Sequence, residues 1–234
     1  LIREVSIQKQ TSNSLQVDFI SLMSHELKSP LTSIIGYLDI ILEGDTGPIN
    51  DEQKEFLTIV SQDAIKLDEM ITNLSLINKI ESGKIILKNK RFDLSQLLLN
   101  ISNSIAENPN QKKIHFKHVI PSGIFIEGDG QLLHKAINNL ISNAFNYTLD
   151  GTIELKTVIE NQQINISVKD TGIGISEEDQ GKLFTKFFRS DNKHVRSFDG
   201  AGLGLATVNK IIESHYGKII AKSNLGKGSV FTIV

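Results

Sequence analysis

Two long helical stretches divided by one cluster of chain breakers constrain this sequence more than anything else in it. In Phe19–Gly36, FISLMSHELKSPLTSIIG, apolar residues fall at Phe19, Met23, Leu27, Pro30/Leu31 and Ile34, in steps of three and four. That spacing predicts an amphipathic helix with these residues as its buried stripe. The helix runs on through Ile41/Leu42 and stops at Gly44-Asp45-Thr46-Gly47-Pro48. Asn50 then opens a second helix, with Gln53 three residues on in the pattern of a capping box. Its apolar positions include Phe56, Val60, Leu67, Met70, Leu74 and Ile77, nearly heptad from Val60 onward with Asp63 as the one intrusion. Two long helices on a short connection predict an antiparallel hairpin. A hairpin alone cannot cover both stripes, so a dimer whose two hairpins make a four-helix bundle is expected.

His25 stands out on the first helix. At about 100° per residue it lies about 160–200° from Met23 and Leu27, so it points off the stripe and toward water. Glu26 follows it. Pro30 lies one turn on and leaves the Glu26 carbonyl without its usual helical N–H partner. An exposed imidazole, an adjacent carboxylate and a helix defect together have the makings of a reactive site. On this stretch alone a plain surface histidine beside a kink is the favoured reading.

Glu81-Ser82-Gly83 ends the second helix and marks a domain boundary. Beyond it strands and helices mix. Strands are predicted at Lys84–Lys88, Ile114–Ile120, Gly123–Glu127, Thr152–Ile159, Ile164–Lys169, Lys218–Ala221 and Ser229–Val234. Helices are predicted at Leu94–Ala106, Gln131–Asn146 and Gly202–Ser214. Strands alternating on one face, with helices collected elsewhere, predict a two-layer α/β sandwich. The hydrophobic share of 39% suffices for two packed cores, and the net charge of −2 gives no general attraction to nucleic acid. No cysteine is present, which excludes disulfides and thiolate metal sites. No apolar run is long enough to span a membrane. The first residue is Leu1 rather than Met, so the sequence is read as a fragment. Residues 1–17 are then the tail of a helix entering from a missing sensor or signal domain.

Several modest motifs follow in order. Asn139, Asn143 and Asn146 fall at i, i+4 and i+7, on a stripe separate from Leu133, Ile137, Leu140 and Ala144. Asparagine is a mediocre helix former, so a row of three needs a reason. Amides ligate hard cations through oxygen and donate to phosphate through nitrogen, although a solvated face is the plain alternative. Asp170-Thr171-Gly172-Ile173-Gly174 sits at a strand end, where a carboxylate can accept from an exocyclic amine and glycine lets backbone approach a ligand. Leu183-Phe184 and Phe187-Phe188 come next, with Arg189 as a candidate phosphate contact. Asp199-Gly200-Ala201-Gly202-Leu203-Gly204-Leu205 leads into a helix whose N-terminus suits an anion. It is neither a dinucleotide fingerprint nor a G-x-x-x-x-G-K-[ST] loop. Gly226-Lys227-Gly228-Ser229-Val230-Phe231 closes the series, with a hydroxyl placed to close a pocket. His115, His118, His134, His194 and His215 make no metal spacing, and HELKS lacks the second histidine of a zinc helix.

Together and in this order the motifs closely resemble the transmitter region of sensor histidine kinases of two-component systems, over about Val17 to Val234. SHELKSP resembles their H box and Asn139–Asn143 their N box. DTGIG and GAGLGL resemble the two glycine boxes, Phe184–Phe188 the F box, and GKGSVF the final glycine motif. The resemblance implies a multidomain α and α/β chain: residues 1–17 a linker helix, 18–83 a dimerisation and phosphotransfer hairpin, and 84–234 a Bergerat-type ATP-binding sandwich. It implies His25 as phosphoacceptor, Glu26 as its orienter and base, and Ser29 in a possible phosphatase role toward the regulator. It implies Asn143 as holder of Mg²⁺ on ATP, with Asn139 in support. Asp170 would read adenine, with Tyr147 near it. Gly172, Gly174, Gly200, Gly202, Leu203, Gly204 and Ser229 would shape the pocket, Arg189 would meet phosphate, and roughly Ser190–Gly202 would be a lid. The implied partners are a second copy of the chain and a response-regulator receiver domain. The implied location is the cytoplasmic portion of a sensor whose membrane contact lies in a missing segment.

The pattern departs from the family at Asn146, where a lysine or arginine is usual, and at Ser29, where threonine or asparagine is usual. Ala201 and Ser229 replace usual threonines. Two other readings compete. An ATPase switch of the chaperone, gyrase or mismatch-repair type leaves SHELKSP unexplained. A dimeric scaffold that binds nucleotide without transferring phosphate is compatible with Asn146.

Overall fold

A computed structural model describes residues 2–106, 113–196, 198 and 200–234. The chain divides into two compact units, Leu1–Ile85 and Ile86–Val234.

The first unit is a helical hairpin. Helix α1 (Ile2–Glu43) is continuous and carries Pro30 inside it. Gly44 and Gly47 turn the chain with φ of 91° and 109°, which is left-handed backbone that favours glycine. Helix α2 (Asp51–Glu81) starts at the expected capping box. The Asn50 side chain accepts from the Gln53 amide at 2.8 Å, and the Gln53 side chain accepts from the Asn50 amide at 2.9 Å.

The buried seam shares Leu31 with the expected stripe, and Ile77 is buried as expected, but other positions differ. Leu31, Leu38, Ala64 and Ile71 form the core, with Ile35 and Leu57 packed against it. Met23, Leu27 and Ile34 remain 39–47% exposed, and Phe56, Val60 and Leu67 stay exposed as well. The Phe19 side chain lies outside the described residues, as do those of Val5, Leu15 and Val17. Each helix carries apolar residues on two faces. The pair closes on the face where α2 offers the small residues Ser61 and Ala64, both buried. Small side chains let two helix backbones approach, and the bulkier residues are left outward.

The expected strand at Lys84–Lys88 is absent. The amides of Lys84 and Ile85 both donate to the Lys79 carbonyl, at 3.0 and 3.1 Å, around Gly83 with φ of 65°. Lys84 and Ile85 are therefore taken up in ending α2, while the Lys88 amide donates to Asp129 Oδ2 at 3.0 Å.

The second unit holds two sheets. Strand β1 (Lys90–Asp93) pairs antiparallel with β3 (Phe125–Gly128). The larger sheet contains β2 (Ile114–Val119), β4 (Gly151–Glu160), β5 (Gln163–Asp170), β6 (Ile219–Asn224) and β7 (Gly228–Ile233), in the order β2-β4-β5-β7-β6. Only the β2–β4 pair is parallel. Helices α3 (Leu94–Ala106), α4 (Gly130–Tyr147) and α7 (Gly204–Ser214) form the other layer. Their buried residues Leu98, Ile101, Ile137, Leu140, Val208 and Ile211 join Ile153, Leu155, Val168 and Phe231 of the strands in one core. The alternate residues Lys117, Lys156, Lys169 and Lys222 are exposed on the strands, which gives the two-layer sandwich expected. Short helices α5 (Glu177–Gln180) and α6 (Lys193–Arg196) lie between β5 and α7. Among the described residues no helix is long and apolar enough to cross a membrane.

Candidate functional site

In the first unit the His25 side chain is 84% exposed, as expected from its angular position. Its Nδ1 lies 3.3 Å from Glu26 Oε1. A carboxylate only accepts, so Nδ1 donates in this contact, and in a neutral ring the lone pair is then on Nε2. Ser29 and Pro30 are exposed one turn on. The adjoining face is fixed: Lys28 Nζ donates to Thr72 Oγ1 at 3.1 Å and ties α1 to α2, while buried Ser24 donates to the Ile20 carbonyl.

In the second unit β5 ends in Asp170, which is 6% exposed. Its Oδ1 accepts from the amides of Gly172 at 2.9 Å and Ser229 at 3.2 Å, and its Oδ2 accepts from none of the described residues. Burial pushes the Asp170 carboxyl above its usual value, and the two amide bonds partly offset that. The Asp170–Gly174 turn is stitched down on both sides. Ile173 donates to the Tyr147 carbonyl at 3.0 Å, and Gly226 donates to the Ile173 carbonyl at 2.7 Å. A Cβ on Gly172 would fall 2.1 Å from the Tyr147 carbonyl oxygen, and one on Gly174 would fall 2.0 Å from that of Asn224. Both glycines are there because backbone occupies the space. Gly200 and Gly204 meet nothing within 4 Å and carry no such constraint.

Helix α4 presents the asparagine row. Asp129 caps its start, accepting from the amides of Gln131 and Leu132. Asn139, Asn143 and Asn146 are half-buried, and Asn139 Nδ2 is buried without a partner. An orphaned amide donor is costly unless something accepts from it. The Asn139 amide can donate to an anionic oxygen, and the Asp170 Oδ2 can accept from an amine. The amide oxygens of the same row suit a hard cation. Tyr147 closes α4 and stacks edge-on against Phe198, with centroids 5.7 Å apart. Burial raises its phenol, offset in part by the charge of Arg189.

Three expected residues make contacts within the protein. The Ser229 hydroxyl faces Ser223 Oγ at 2.9 Å, so its contribution to Asp170 comes from its amide. Leu203 is buried, and its carbonyl accepts from the Thr207 hydroxyl at 2.8 Å, which holds the first turn of α7. Arg189 donates to the carbonyls of Gly200, Val195 and Phe198. Asp199, quoted with the second glycine stretch, lies outside the described residues. Thr148, buried with an unpartnered hydroxyl at the end of α4, belongs to none of the sequence motifs, and His215 is structural as expected.

Two family models match the chain: the His Kinase A (phospho-acceptor) domain over residues 15–83, and the histidine kinase-, DNA gyrase B- and HSP90-like ATPase over residues 128–234. Among curated proteins the chain is 33% identical over 228 residues to the circadian input-output histidine kinase CikA of Synechococcus elongatus, covering 96% of this chain and 30% of that protein. It is 32% identical to the sensor protein GacS of Pseudomonas syringae pv. syringae and 31% identical to the signal transduction histidine-protein kinase BarA of Escherichia coli, covering 95% of this chain and 25% of each protein. The chain thus spans less than a third of the length of these relatives. Among solved structures it is similar to the Acinetobacter baumannii histidine kinase AdeS, with TM-score 0.62, 25% identity and coverage of 89% of this chain and 95% of that one. Full-length ShkA in complex with AMPPNP shares the fold at TM-score 0.76 and 22% identity, covering 92% of this chain and 45% of that one.

Proposed function

The chain belongs to the sensor histidine kinases, as part of their transmitter region, and from that premise we propose that it moves the γ-phosphoryl group of ATP to His25 and then to an aspartate of a response-regulator receiver domain. The supporting observation is the placement of His25: outward, with Nδ1 beside Glu26. Nε2 attacks the γ-phosphorus, the N–P bond forms, the bond to the β-phosphate oxygen breaks and ADP leaves. The Nδ1 proton passes to Glu26, which leaves a neutral phosphoimidazole. Transfer of this kind is dominated by positioning and charge neutralisation.

In this reading residues 18–83 are the dimerisation and phosphotransfer hairpin and 84–234 the catalytic domain, with residues 1–17 a linker helix. Asp170 accepts from the adenine amine through Oδ2. Tyr147 lies beside the base, and Gly172, Gly174, Gly200, Gly202, Leu203, Gly204 and Ser229 shape the walls. Asn139 donates to the phosphates, and Asn143 holds Mg²⁺. When bound, that ion neutralises charge on the triphosphate. Asn146 supplies no charge where a cation is usual, so slow transfer is expected. The exposed residues Met23, Leu27, Ile34, Val60 and Leu67 support a homodimer closed as a four-helix bundle. Ser29, one turn after His25, carries a hydroxyl able to orient water in dephosphorylating the regulator. The region is placed in the cytoplasm, with any membrane anchor elsewhere in a longer protein.

Incubation with γ-labelled ATP tests the reading. Alkali-stable, acid-labile label on the protein, absent in His25→Gln, is expected. Turnover to free phosphate without labelled protein would replace the kinase with an ATPase switch. Nucleotide binding with neither outcome would leave a scaffold.

A further inference from the structure

We infer that the open face of the large sheet at β5, β7 and β6 is a docking surface for an acidic segment of a partner protein, whose carboxylates pair with Lys169, Lys222 and Lys227. Helices α3, α4 and α7 cover the other face of this sheet. Alternate side chains of a strand turn to opposite faces. Lys169 therefore points away from the core that buries Val168 and Asp170 on either side of it. The register sets Lys169 of β5 and Lys222 of β6 on opposite sides of Val230. Two strand spacings place their backbones about 10 Å apart. Lys227 follows in the turn between β6 and β7, and the three lysines line an open cleft of about 420 Å³ together with Gln180 and Asn224. All three are exposed, and none has an ion-pair partner among the described residues. Glu154 lies across from Lys169 in register but bridges Lys117 at 3.0 Å.

The cleft is fixed in shape. Ser223 Oγ accepts from the Ile175 amide at 2.8 Å and donates to the Gly228 carbonyl at 2.8 Å, and Gln180 Nε2 donates to the Ser223 carbonyl at 3.0 Å. A rigid wall lowers the cost of ordering a bound segment. The charges around the cleft select the kind of partner. The chain carries a net charge of −2, so the lysine excess here is local. Helix α5 packs beside β6 and holds Glu177, Glu178 and Asp179 in its first turn. A nucleic acid duplex or an anionic bilayer spreads negative charge over its whole surface and meets those acids. A short peptide places its carboxylates on the lysines alone, where charge complementarity also sets register. The outward residues Val230, Thr232 and Ile220 offer no aromatic ring for a base to stack on. They do offer apolar contact to the side chains of a peptide.

Binding needs no nucleotide, so the whole chain is titrated without ATP. The probes are an extended peptide alternating Glu with Val, the same peptide with Gln for Glu, a short DNA duplex, and phosphatidylserine vesicles. The Glu peptide is expected to bind, to move amide NMR signals of β5, β6 and β7, and to be released by high salt. Its affinity should fall about tenfold in Lys169→Gln/Lys222→Gln. The Lys88→Gln/Lys90→Gln variant makes the same change in net charge away from this face and should bind as wild type does. Thermal melts of both variants should match wild type, which shows that the sheet still forms. Equal losses in the two variants, equal binding of the Gln peptide, or no binding of the Glu peptide at millimolar concentration would overturn the inference. Tighter binding of the duplex or the vesicles through the same lysines would overturn it too, in favour of a polyanion.

Discussion

Asp129 and His215, 86 residues apart, fix one another: the Asp129 amide donates to His215 Nε2 at 3.0 Å, while His215 Nδ1 donates to the Ile211 carbonyl at 2.8 Å. Both ring nitrogens are engaged, one as acceptor and one as donor, which is the pattern of a single neutral tautomer. Asp129 in turn caps α4 and accepts from the Lys88 amide at 3.0 Å. The helix bearing the asparagine row is therefore anchored through the end of α7. His215→Ala leaves the Asp129 amide without its partner, while the Ile211 carbonyl keeps the Ser214 hydroxyl and the backbone amide of residue 215, and a loss of about 1–3 kcal/mol is expected. Urea unfolding monitored by circular dichroism measures it.

Asp170 makes stability depend on pH with a definite sign. Burial raises its folded value, so the native state holds the proton more tightly than the unfolded chain. Its contribution is fully present below the unfolded carboxylate value of about 3.9 and is lost as pH rises through the folded value. Asp170→Asn keeps an oxygen for the two amides and removes the buried charge. In nucleotide-free thermal melts the variant is expected to unfold above wild type at neutral pH, with the gap closing in acid. Nucleotide affinity should fall about 10- to 100-fold for a lost charge-assisted hydrogen bond.

Gly202 and Gly204 carry opposite expectations although they share a motif. Gly202→Ala places a Cβ against backbone at a positive φ and is expected to cost about 1–3 kcal/mol. Gly204 opens α7 with open space around it, so Gly204→Ala should leave stability unchanged or raise it by up to about 1 kcal/mol. Paired urea titrations separate the two.

The two faces of the hairpin are separable by mutation. Leu31→Ala and Ile71→Ala open cavities in the buried seam, and each is expected to cost about 2–5 kcal/mol. Val60→Glu and Leu67→Glu place charge on the outward apolar face. Helix content should persist while sedimentation shifts toward a monomer. A dimer that survives both changes would exclude this face from the interface.

The parts of the fold legible in sequence were those with local causes. Leu94–Ala106 matches its helix end to end, and Asn50 with Gln53 marks the start of α2. His25 was legible because helical angle alone decides which way it points. The inner seam was not, since both hairpin helices are apolar on two faces and hydrophobicity does not say which face meets the other helix. Lys90–Asp93 offers one apolar side chain, and α5 and α6 have four residues each, too few to show a period. The contacts of Arg189 and the pairing of His215 with Asp129 use main-chain partners, which leave no mark in residue identity. Motif order located Asp170 and the glycines. Only coordinates distinguish Gly172, Gly174 and Gly202, where backbone fills the Cβ position, from Gly200 and Gly204, where nothing does.

The clamped carboxylate at the end of β5 has a consequence for purine choice. With Oδ1 pinned by two amides, Asp170 cannot rotate away from whatever faces Oδ2. On the proposed reading adenine would present an amine there, whereas guanine would present a keto oxygen, setting two lone-pair-bearing atoms against each other. A site that leaves a buried polar group so mismatched discriminates by about a hundredfold or more, so GTP should be a poor substitute at any concentration that saturates with ATP.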